Sequence, residues 1–233
     1  MPDAIHHGIV CTPGRETQDL VVINDILLND AYKTALIGSA ISNPEVVVDV
    51  GAHIGCFSVL WYRKNPRAKF ICVEACPENI PALRKNVGSF SSIHQAACTY
   101  EQGPLYLLNA HTPNCRSTGG SIVASEAEVD ACLNPDYYRD KRPLDLITIG
   151  EILDLYRMPR IDVLKLDCEG SEFSILEHAP LDRIGFIFVE SHDPPRWRDL
   201  IKRRFEGWDI GMMEGGSFGC EVWHMLNPKV RGF

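Results

Sequence analysis

Short apolar runs recur along the chain at the length of β-strands. The run EVVVDVG at 45–51 is apolar at almost every position, which is typical of a central parallel strand buried on both faces. At the C-terminal end, 207–216 and 219–226 predict a hairpin whose strands are joined by glycines. Further runs predict strands at 69–75, 92–98, 103–110, 160–167 and 185–192.

Apolar residues at helical spacing and signals for helix starts appear between these strands. Pro77 begins one predicted helix, Thr148 and Glu151 have the spacing of a capping box, and 196–205 is amphipathic. Another helix follows the first strand and carries Ile54, Phe57, Leu60 and Trp61 at helical spacing. Strands that alternate with helices predict a parallel sheet covered on both faces. Ligands bind beyond the carboxyl ends of such strands, which indicates the loops after residues 50, 74, 97, 167 and 190.

The segment 110–143 is too long for an ordinary connection between elements. Ser125 and Glu128 within it have capping-box spacing, so we expect a short helix there. We predict that this segment is a lid over the substrate. We also predict that 1–44 is an N-terminal extension and that 1–233 forms a single domain.

Composition and charge narrow the class of protein. The chain has 233 residues, 45% of them apolar, and a formal net charge of −8, which argues against nucleic acid as the main partner. No apolar run reaches the roughly 18 residues of a membrane span, and the N-terminus lacks the pattern of a signal peptide. We therefore expect a cytoplasmic protein that has no contact with membranes. Its nine cysteines show no paired framework and are expected to be buried thiols.

Gly51 and Gly55 bracket a turn that directly follows the strand containing Asp49. Without a Cβ, Gly51 lets the backbone approach a ligand and Gly55 lets the next helix pack closely. The dinucleotide pattern G-x-G-x-x-G would need its middle glycine at His53, so a side chain stands where a pyrophosphate would lie. Glu74 ends the next predicted strand, where an acid accepts the hydroxyls of a ribose. The pattern indicates a nucleoside ligand without a pyrophosphate.

Four stretches together resemble the FkbM family of S-adenosylmethionine-dependent methyltransferases: VVVDVGAHIG, VEACPEN, ITIGEIL and IDVLKLDCEGSEFSILEH. The resemblance covers roughly residues 20 to 192, and its most specific part is KLDCEGSE at 165–172. It implies a class I methyltransferase: an α/β, Rossmann-like, doubly wound, mostly parallel seven-stranded sheet with an antiparallel C-terminal hairpin. It also implies methyl transfer to a hydroxyl of a small molecule such as a sugar or a polyketide. Two departures are Ala75, where the family usually has proline, and the size of 110–143.

We expect S-adenosylmethionine to bind at the turn and at the ends of the neighbouring strands. The predicted cofactor-binding residues are Asp49, Gly51, His53, Gly55, Glu74, Ala75, Gln95, Ala96, Ala97 and Asp167.

A set of polar residues at the ends of two further strands is predicted to carry out the chemistry. Glu190 and His192 point to one side of their strand, and Asp167 ends the preceding core strand. We predict that His192 is the general base and that Asp167 and Glu190 position it. In a second version these carboxylates share a divalent ion such as Mg²⁺, although the chain shows no dedicated cluster of metal ligands. The alternative is a structural network, for which Lys165 is a candidate member.

Two other classes of function stay open at this point. A methyltransferase-like module would bind the cofactor without turning it over, and the residues on the substrate side do not discriminate against it. A nicotinamide-dependent oxidoreductase is disfavoured because position 53 is not glycine.

Overall fold

The computed structural model describes residues 3–34, 43–110, 121–131, 137–139, 143–213 and 220–230 of the chain. Its strands are β1 (Ile5–His6), β2 (Ile9–Val10), β3 (Val46–Val50), β4 (Lys69–Glu74), β5 (Ser91–Gln95), β6 (Ala97–Cys98), β7 (Leu105–Ala110), β8 (Ser121–Ser125), β9 (Tyr137–Arg139), β10 (Leu146–Ile147), β11 (Ile161–Leu166), β12 (Ile184–Ser191), β13 (Asp209–Met213) and β14 (Glu221–Leu226). Its helices are α1 (Glu16–Ile23), α2 (Cys56–Lys64), α3 (Ile80–Val87), α4 (Glu126–Ala131), α5 (Ile149–Leu155), α6 (Glu172–His178) and α7 (Pro194–Arg204).

A seven-stranded sheet forms the centre of the molecule, in the order β13-β14-β12-β11-β3-β4-β5. The five strands from β12 to β5 pair in parallel, whereas β14 pairs antiparallel with both β12 and β13. The predicted doubly wound, mostly parallel sheet with an antiparallel C-terminal hairpin is therefore confirmed. Because β3 is the middle one of the five parallel strands, the turn that follows it opens at the centre of their carboxyl edge.

Both faces of the sheet are covered by apolar side chains. Side chains from β11 and β12 pack on one face with α5, α6 and α7, represented by Leu164, Ile187, Ile152, Phe173 and Trp197. The other face packs against α2, represented by Val47, Phe70, Phe188, Phe57 and Trp61. Each fully buried Leu, Ile or Phe contributes about 1.5–3 kcal/mol, so these two layers hold the strand ends in fixed positions.

The predicted strand at 92–98 is divided in the structure. β5 ends at Gln95, and the N–H of Ala96 donates to the carbonyl oxygen of Glu74 (3.1 Å) as the chain leaves the central sheet. Ala97 and Cys98 then pair in parallel with β10. The predicted strand at 103–110 is present as β7, but it belongs to a separate three-stranded antiparallel sheet with β8 and β9. Apolar alternation identified these strands without showing which sheet they join.

Gly51 and Gly55 both require glycine, for reasons that lie within the protein. Gly51 has φ +69°, and a Cβ there would collide with the carbonyl oxygen of Asp167 on the neighbouring strand end. Gly55 has φ +90°, and a Cβ there would lie 2.6 Å from Cγ1 of Val87 in α3. The close approaches within the protein are therefore strand end to strand end at Gly51 and helix to helix at Gly55, and the approach of the Gly51 backbone to a ligand stays a prediction.

Both predicted capping boxes are confirmed, whereas the helix predicted to begin at Pro77 begins at Ile80 after a turn. The Thr148 side chain accepts from the N–H of Glu151 while the Glu151 carboxylate accepts from the N–H of Thr148. Ser125 and Glu128 make the same reciprocal contacts at the start of α4. Residues 111–120, 132–136 and 140–142 of the proposed lid lie outside the described residues, so the role of 110–143 stays a prediction.

Within the described ranges, none of the helices has both the length and the apolar character needed to cross a membrane. The cysteines of the same ranges carry free thiols, and five of them are buried, as expected.

Candidate active site

A cavity lies at the carboxyl edge of the central sheet, over the ends of β3, β4 and β11. Its open space, including the mouth towards solvent, is about 970 Å³. Its lining residues are Arg15, Val22, Ile26, Val50, Gly51, Ala52, His53, Cys56, Phe57, Val73, Glu74, Ala75, Asn79, Ala96, Ala97, Cys98, Lys165, Asp167, Cys168, Glu169, Ser171 and Glu190. The cavity thus has the predicted position for this class of sheet.

Glu74 is held in one orientation inside this cavity. Its Oε2 accepts from the N–H of His53 (2.7 Å), and its Oε1 accepts from the N–H of Cys76 (2.8 Å) and the amide of Asn79 (3.2 Å). The residue is only 6% exposed, and burial raises the pKa of its carboxyl despite these three donors. A fixed carboxylate with remaining acceptor capacity suits the two hydroxyls of a ribose.

Three of the ten predicted cofactor-binding residues do not line the cavity. Asp49 is fully buried below the turn, Gly55 faces α3, and Gln95 is exposed at the end of β5. The other seven do line it, namely Gly51, His53, Glu74, Ala75, Ala96, Ala97 and Asp167. Asp49 therefore lies in the core beneath the turn and does not face the cavity.

Asp49 belongs to a buried network centred on Lys165. The Lys165 Nζ lies 3.4 Å from Oδ1 of Asp49 and 3.4 Å from Oδ2 of Asp167. It also donates to the carbonyl oxygens of Val50 (3.3 Å) and Gly51 (2.6 Å). Burial alone would lower the pKa of Lys165, but the two carboxylates outweigh it and raise the pKa. This network connects the turn to the end of β11. The structural alternative named Lys165 and Asp167, which belong to this network; for Glu190 and His192 it stays a prediction.

His53 is turned towards the N-terminal helix. Its backbone has φ +51°, and its Nε2 lies 3.3 Å from Oδ1 of Asp19, a fully buried residue of α1. Burial, followed by the charges of Arg15 and Lys165, lowers the pKa of His53 to about 3. The imidazole is therefore neutral at pH 7.

Three carboxyl groups converge at the end of the cavity that lies over β11 and β12, opposite Glu74. Leu166 pairs with Val189, which places Asp167 and Glu190 side by side beyond that pair, and Glu169 follows in the next loop. Burial and then the charge of Asp167 raise the pKa of Glu190 to about 8, and burial raises the pKa of Glu169 to about 7. Burial would also raise the pKa of Asp167, but Lys165 outweighs it and holds that pKa below its ordinary value. The tyrosine hydroxyl of Tyr32 donates to Oδ2 of Asp167 (3.2 Å).

His192 lies behind these carboxyls and is not among the residues that line the cavity. Its Nδ1 lies 3.1 Å from Oε1 of Glu172, and its Nε2 lies 3.4 Å from Oε2 of Glu169. Burial opposes protonation, but the hydrogen bond to Glu172 together with the charges of Glu172, Glu169 and Asp167 outweighs it and raises the pKa of His192 to about 10. An imidazolium ion at pH 7 has no free lone pair, so this geometry favours a neighbouring carboxylate as the base.

A divalent ion was the second version of the predicted chemistry. Within the described residues, Glu190, His192 and Cys220 place one ligand atom each within 4.8 Å of one another. This set mixes oxygen, nitrogen and sulfur, whereas Mg²⁺ prefers oxygen ligands. Both ring nitrogens of His192 already face carboxylates, so the structure does not support Mg²⁺ and we assign no metal here.

The N-terminal segment contributes to the cavity in a way that sequence reasoning missed. Arg15, Val22 and Ile26 line it, although they belong to the part treated as an extension. Val22 and Ile26 are four residues apart on α1 and on the π-helical turn Asn24–Leu28 that continues it. That spacing was a signal for an apolar face, but it does not indicate which cavity the face covers.

A sheet of this order with a glycine turn after its central strand, and a buried acid at the end of the next strand, define the class I S-adenosylmethionine-dependent methyltransferases. More closely, the chain belongs to the FkbM family, because the family model described as "Methyltransferase FkbM domain" matches residues 49–224. The resemblance seen in the sequence is thereby confirmed, and S-adenosylmethionine is the cofactor. The family favours methyl transfer over the nicotinamide-dependent alternative.

Proteins that are similar to this chain are also named methyltransferases. The chain is 29% identical over 199 residues to methyltransferase sdnD of Sordaria araneosa, which covers 72% of this chain and 75% of that protein. It is 21% identical over 203 residues to methyltransferase 1 of Beauveria bassiana, covering 80% and 78%. Among solved structures, magnesium protoporphyrin IX methyltransferase from Synechocystis PCC 6803 with bound SAM superposes with a TM-score of 0.44 at 10% identity, covering 91% of this chain and 78% of that one.

The Glu74 carboxylate should be essential for cofactor affinity. We expect Glu74→Gln to weaken binding of S-adenosylhomocysteine by roughly 1.5–3 kcal/mol, because a charged acceptor of the ribose hydroxyls becomes a neutral amide. Calorimetric titration measures this, with the exposed Glu101→Gln as matched control and a thermal unfolding scan to verify folding. Wild-type affinity in a folded Glu74→Gln variant would end the assignment of Glu74 to the ribose.

Proposed function

We propose that the protein transfers a methyl group from S-adenosylmethionine to a hydroxyl of a small molecule, with Glu190 as the general base. The observation that carries this proposal is the position of Glu190, a carboxyl with a raised pKa in the wall of the cofactor cavity, at the opposite end from Glu74. A base near its operating pH combines a useful ionised fraction with a strong drive to accept a proton.

The proposed reaction is an in-line displacement at the sulfonium methyl. A new C–O bond forms to the acceptor oxygen while the C–S bond breaks, and its electron pair returns to sulfur to give S-adenosylhomocysteine. The proton of the hydroxyl moves to a carboxylate oxygen of Glu190. No covalent intermediate with the enzyme is needed, so much of the acceleration comes from holding the two reactants in line.

Neighbouring groups set the charge of Glu190. Asp167 stays ionised because Lys165 and the Tyr32 hydroxyl stabilise its carboxylate, and its negative charge raises the pKa of Glu190. The imidazolium of His192 acts in the opposite direction and keeps part of Glu190 ionised at neutral pH. His192 is in this proposal a positioning residue, because its ring holds Glu169 and Glu172 and does not face the cavity.

The pH dependence of methyl transfer follows from this arrangement. We expect the rate to rise by about tenfold per pH unit as pH increases towards 8 and to level off above it, because only ionised Glu190 accepts a proton. The groups that act on this titration are Asp167, His192, Lys165 and Glu169. Measurement of kcat between pH 6 and pH 9.5 tests it, and a rate independent of pH would contradict a base with this pKa.

The type of acceptor is tested by following the methyl group. S-adenosylmethionine carrying ¹³C in its methyl is incubated with the protein and a panel of sugars, hydroxylated polyketide fragments and amines, and products are analysed by NMR and mass spectrometry. O-methyl products alone support the proposal, and N-methyl products overturn the hydroxyl assignment. Cofactor binding without consumption in any mixture would favour the binding module without turnover.

A further inference from the structure

The methionine part of the cofactor needs a partner for its carboxylate, and no residue has so far been given this role. This carboxylate is the only anionic group of S-adenosylmethionine. The described residues that line the cavity include two side chains that are cationic at pH 7, Arg15 and Lys165, since His53 is neutral there. A carboxylate in a cavity that also contains Glu74, Asp167, Glu169 and Glu190 requires one of these cations.

Lys165 is already fully engaged. Its ammonium group faces the carboxylates of Asp49 and Asp167 and donates to two backbone carbonyl oxygens. An ammonium has three donors, and these four oxygens exhaust them. Its side chain is only 3% exposed, so it cannot turn towards a ligand without leaving two carboxylates buried and uncompensated.

Arg15 is differently placed. Its Nη1 donates to the amide oxygen of Asn79 (3.3 Å), a neutral partner, and the same Asn79 donates to Glu74. Asp19, one turn further along α1, accepts from the N–H of Thr12 and faces the ring of His53, and the nearby charge of Arg15 opposes the rise in pKa that burial causes at this carboxyl. The Arg15 guanidinium has five N–H donors, so it keeps donors for a ligand next to the proposed ribose site.

A second observation points to a ligand at the same place. His53 lines this side of the cavity, and both of its ring nitrogens are buried without a hydrogen-bond partner within the described part of the chain, although Nε2 lies 3.3 Å from Oδ1 of Asp19. Buried polar atoms are normally paired, which indicates that a polar group of a ligand completes one of them. His53 lies within the glycine turn, and the charge of Arg15 contributes to its lowered pKa, which places Arg15 near the imidazole ring.

We propose that Arg15 binds the carboxylate of the methionine moiety, so that the N-terminal segment 15–28 is part of the cofactor site. Asp167 is ionised at the far end and repels a carboxylate, which favours a position of the methionine carboxylate near Arg15. Val22 and Ile26 on the same segment cover the cavity with apolar surface. The proposal rests on S-adenosylmethionine as cofactor and is independent of the nature of the acceptor.

The test compares two ligands that differ in the carboxylate. S-adenosylhomocysteine and 5′-methylthioadenosine share the adenosine and the thioether, but the second lacks the amino acid. We expect Arg15→Gln to weaken S-adenosylhomocysteine by about 10- to 100-fold, the size of a lost charge-assisted pair, and to leave 5′-methylthioadenosine unchanged in calorimetric titrations. Arg15→Lys retains the charge without the bidentate fork and should fall between wild type and Arg15→Gln.

Arg63→Gln is the matched control, because its guanidinium donates to the carbonyl oxygen of His7 and so contacts the N-terminal region away from the cavity. It should leave both affinities at the wild-type level. Equal weakening of both ligands by Arg15→Gln would overturn the proposal, since Arg15 would then contact the nucleoside or merely hold the segment in place. Unchanged affinity for both ligands would overturn it as well. Retained binding of 5′-methylthioadenosine also shows that the variant is folded.

Discussion

Replacement of Glu190 by glutamine is expected to lower kcat for methyl transfer by about 10²–10⁴-fold, the usual contribution of a general base. Glutamine has nearly the same shape but cannot accept the proton of the hydroxyl. Affinity for S-adenosylhomocysteine should stay near that of the wild type, because the ribose is held at Glu74 at the other end of the cavity. The measurement is the steady-state rate with the acceptor found in the ¹³C-methyl screen, together with calorimetry of cofactor binding.

His192→Gln separates the two candidate bases. If Glu190 is the base, loss of the imidazolium removes a positive charge that lowers the pKa of Glu190, and the rising limb of the pH–rate profile moves to higher pH. If His192 is the base, as the sequence suggested, the rising limb of the profile disappears and kcat falls by about 10²–10⁴-fold at every pH. Full turnover by Glu190→Gln would contradict the proposed role and move the base to Asp167, Glu169 or the segment 110–143.

Replacement of Lys165 by methionine is expected to destabilise the fold by about 3–5 kcal/mol, because it removes one partner of a buried ion network. Asp49 would then be fully buried without its cation, and Asp167 would lose its nearest positive charge. Urea unfolding at pH 7 measures the loss. Part of it should be recovered at lower pH, where protonation removes the uncompensated negative charges.

Lys202→Met provides the comparison for this loss. Lys202 pairs with Asp199 on the surface with both side chains 76% exposed, and such pairs contribute about 0–1 kcal/mol. If Lys165→Met unfolds at the same urea concentration as Lys202→Met, the buried network does not stabilise the strand ends as described.

The fold was largely predictable because apolar periodicity reports burial directly. A run such as 45–51 is buried on both faces only in the middle of a covered sheet, and β3 lies there. The break at Ala96 was not predictable in the same way, because Ala96–Cys98 is as apolar as a strand interior. The bond from Ala96 to the carbonyl oxygen of Glu74 is the last one between β4 and β5, and Ala97 then pairs with β10, which is remote in sequence.

Those site residues that lie at strand ends could be predicted from the sequence. The charge states of the side chains could not. Glu74, Asp167 and Glu190 follow from their positions at the ends of parallel strands, which converge at one edge whatever the loops do. The charge of His192 depends on Glu172 and Glu169, whose distances to the ring no periodicity reveals. Asp49 looked like a ligand of the cofactor because it precedes the glycine turn, but strand pairing directs it into the core beside Lys165.

A crystal structure of the protein with S-adenosylhomocysteine tests the central claim most directly. We expect the ribose hydroxyls on the carboxylate of Glu74 and the sulfur directed towards Glu190 and Asp167. Room for an acceptor oxygen should remain about 3–3.5 Å from the position of the transferred methyl. A cofactor bound in this cavity with its sulfur turned away from Glu190, or bound elsewhere on the molecule, would contradict the account.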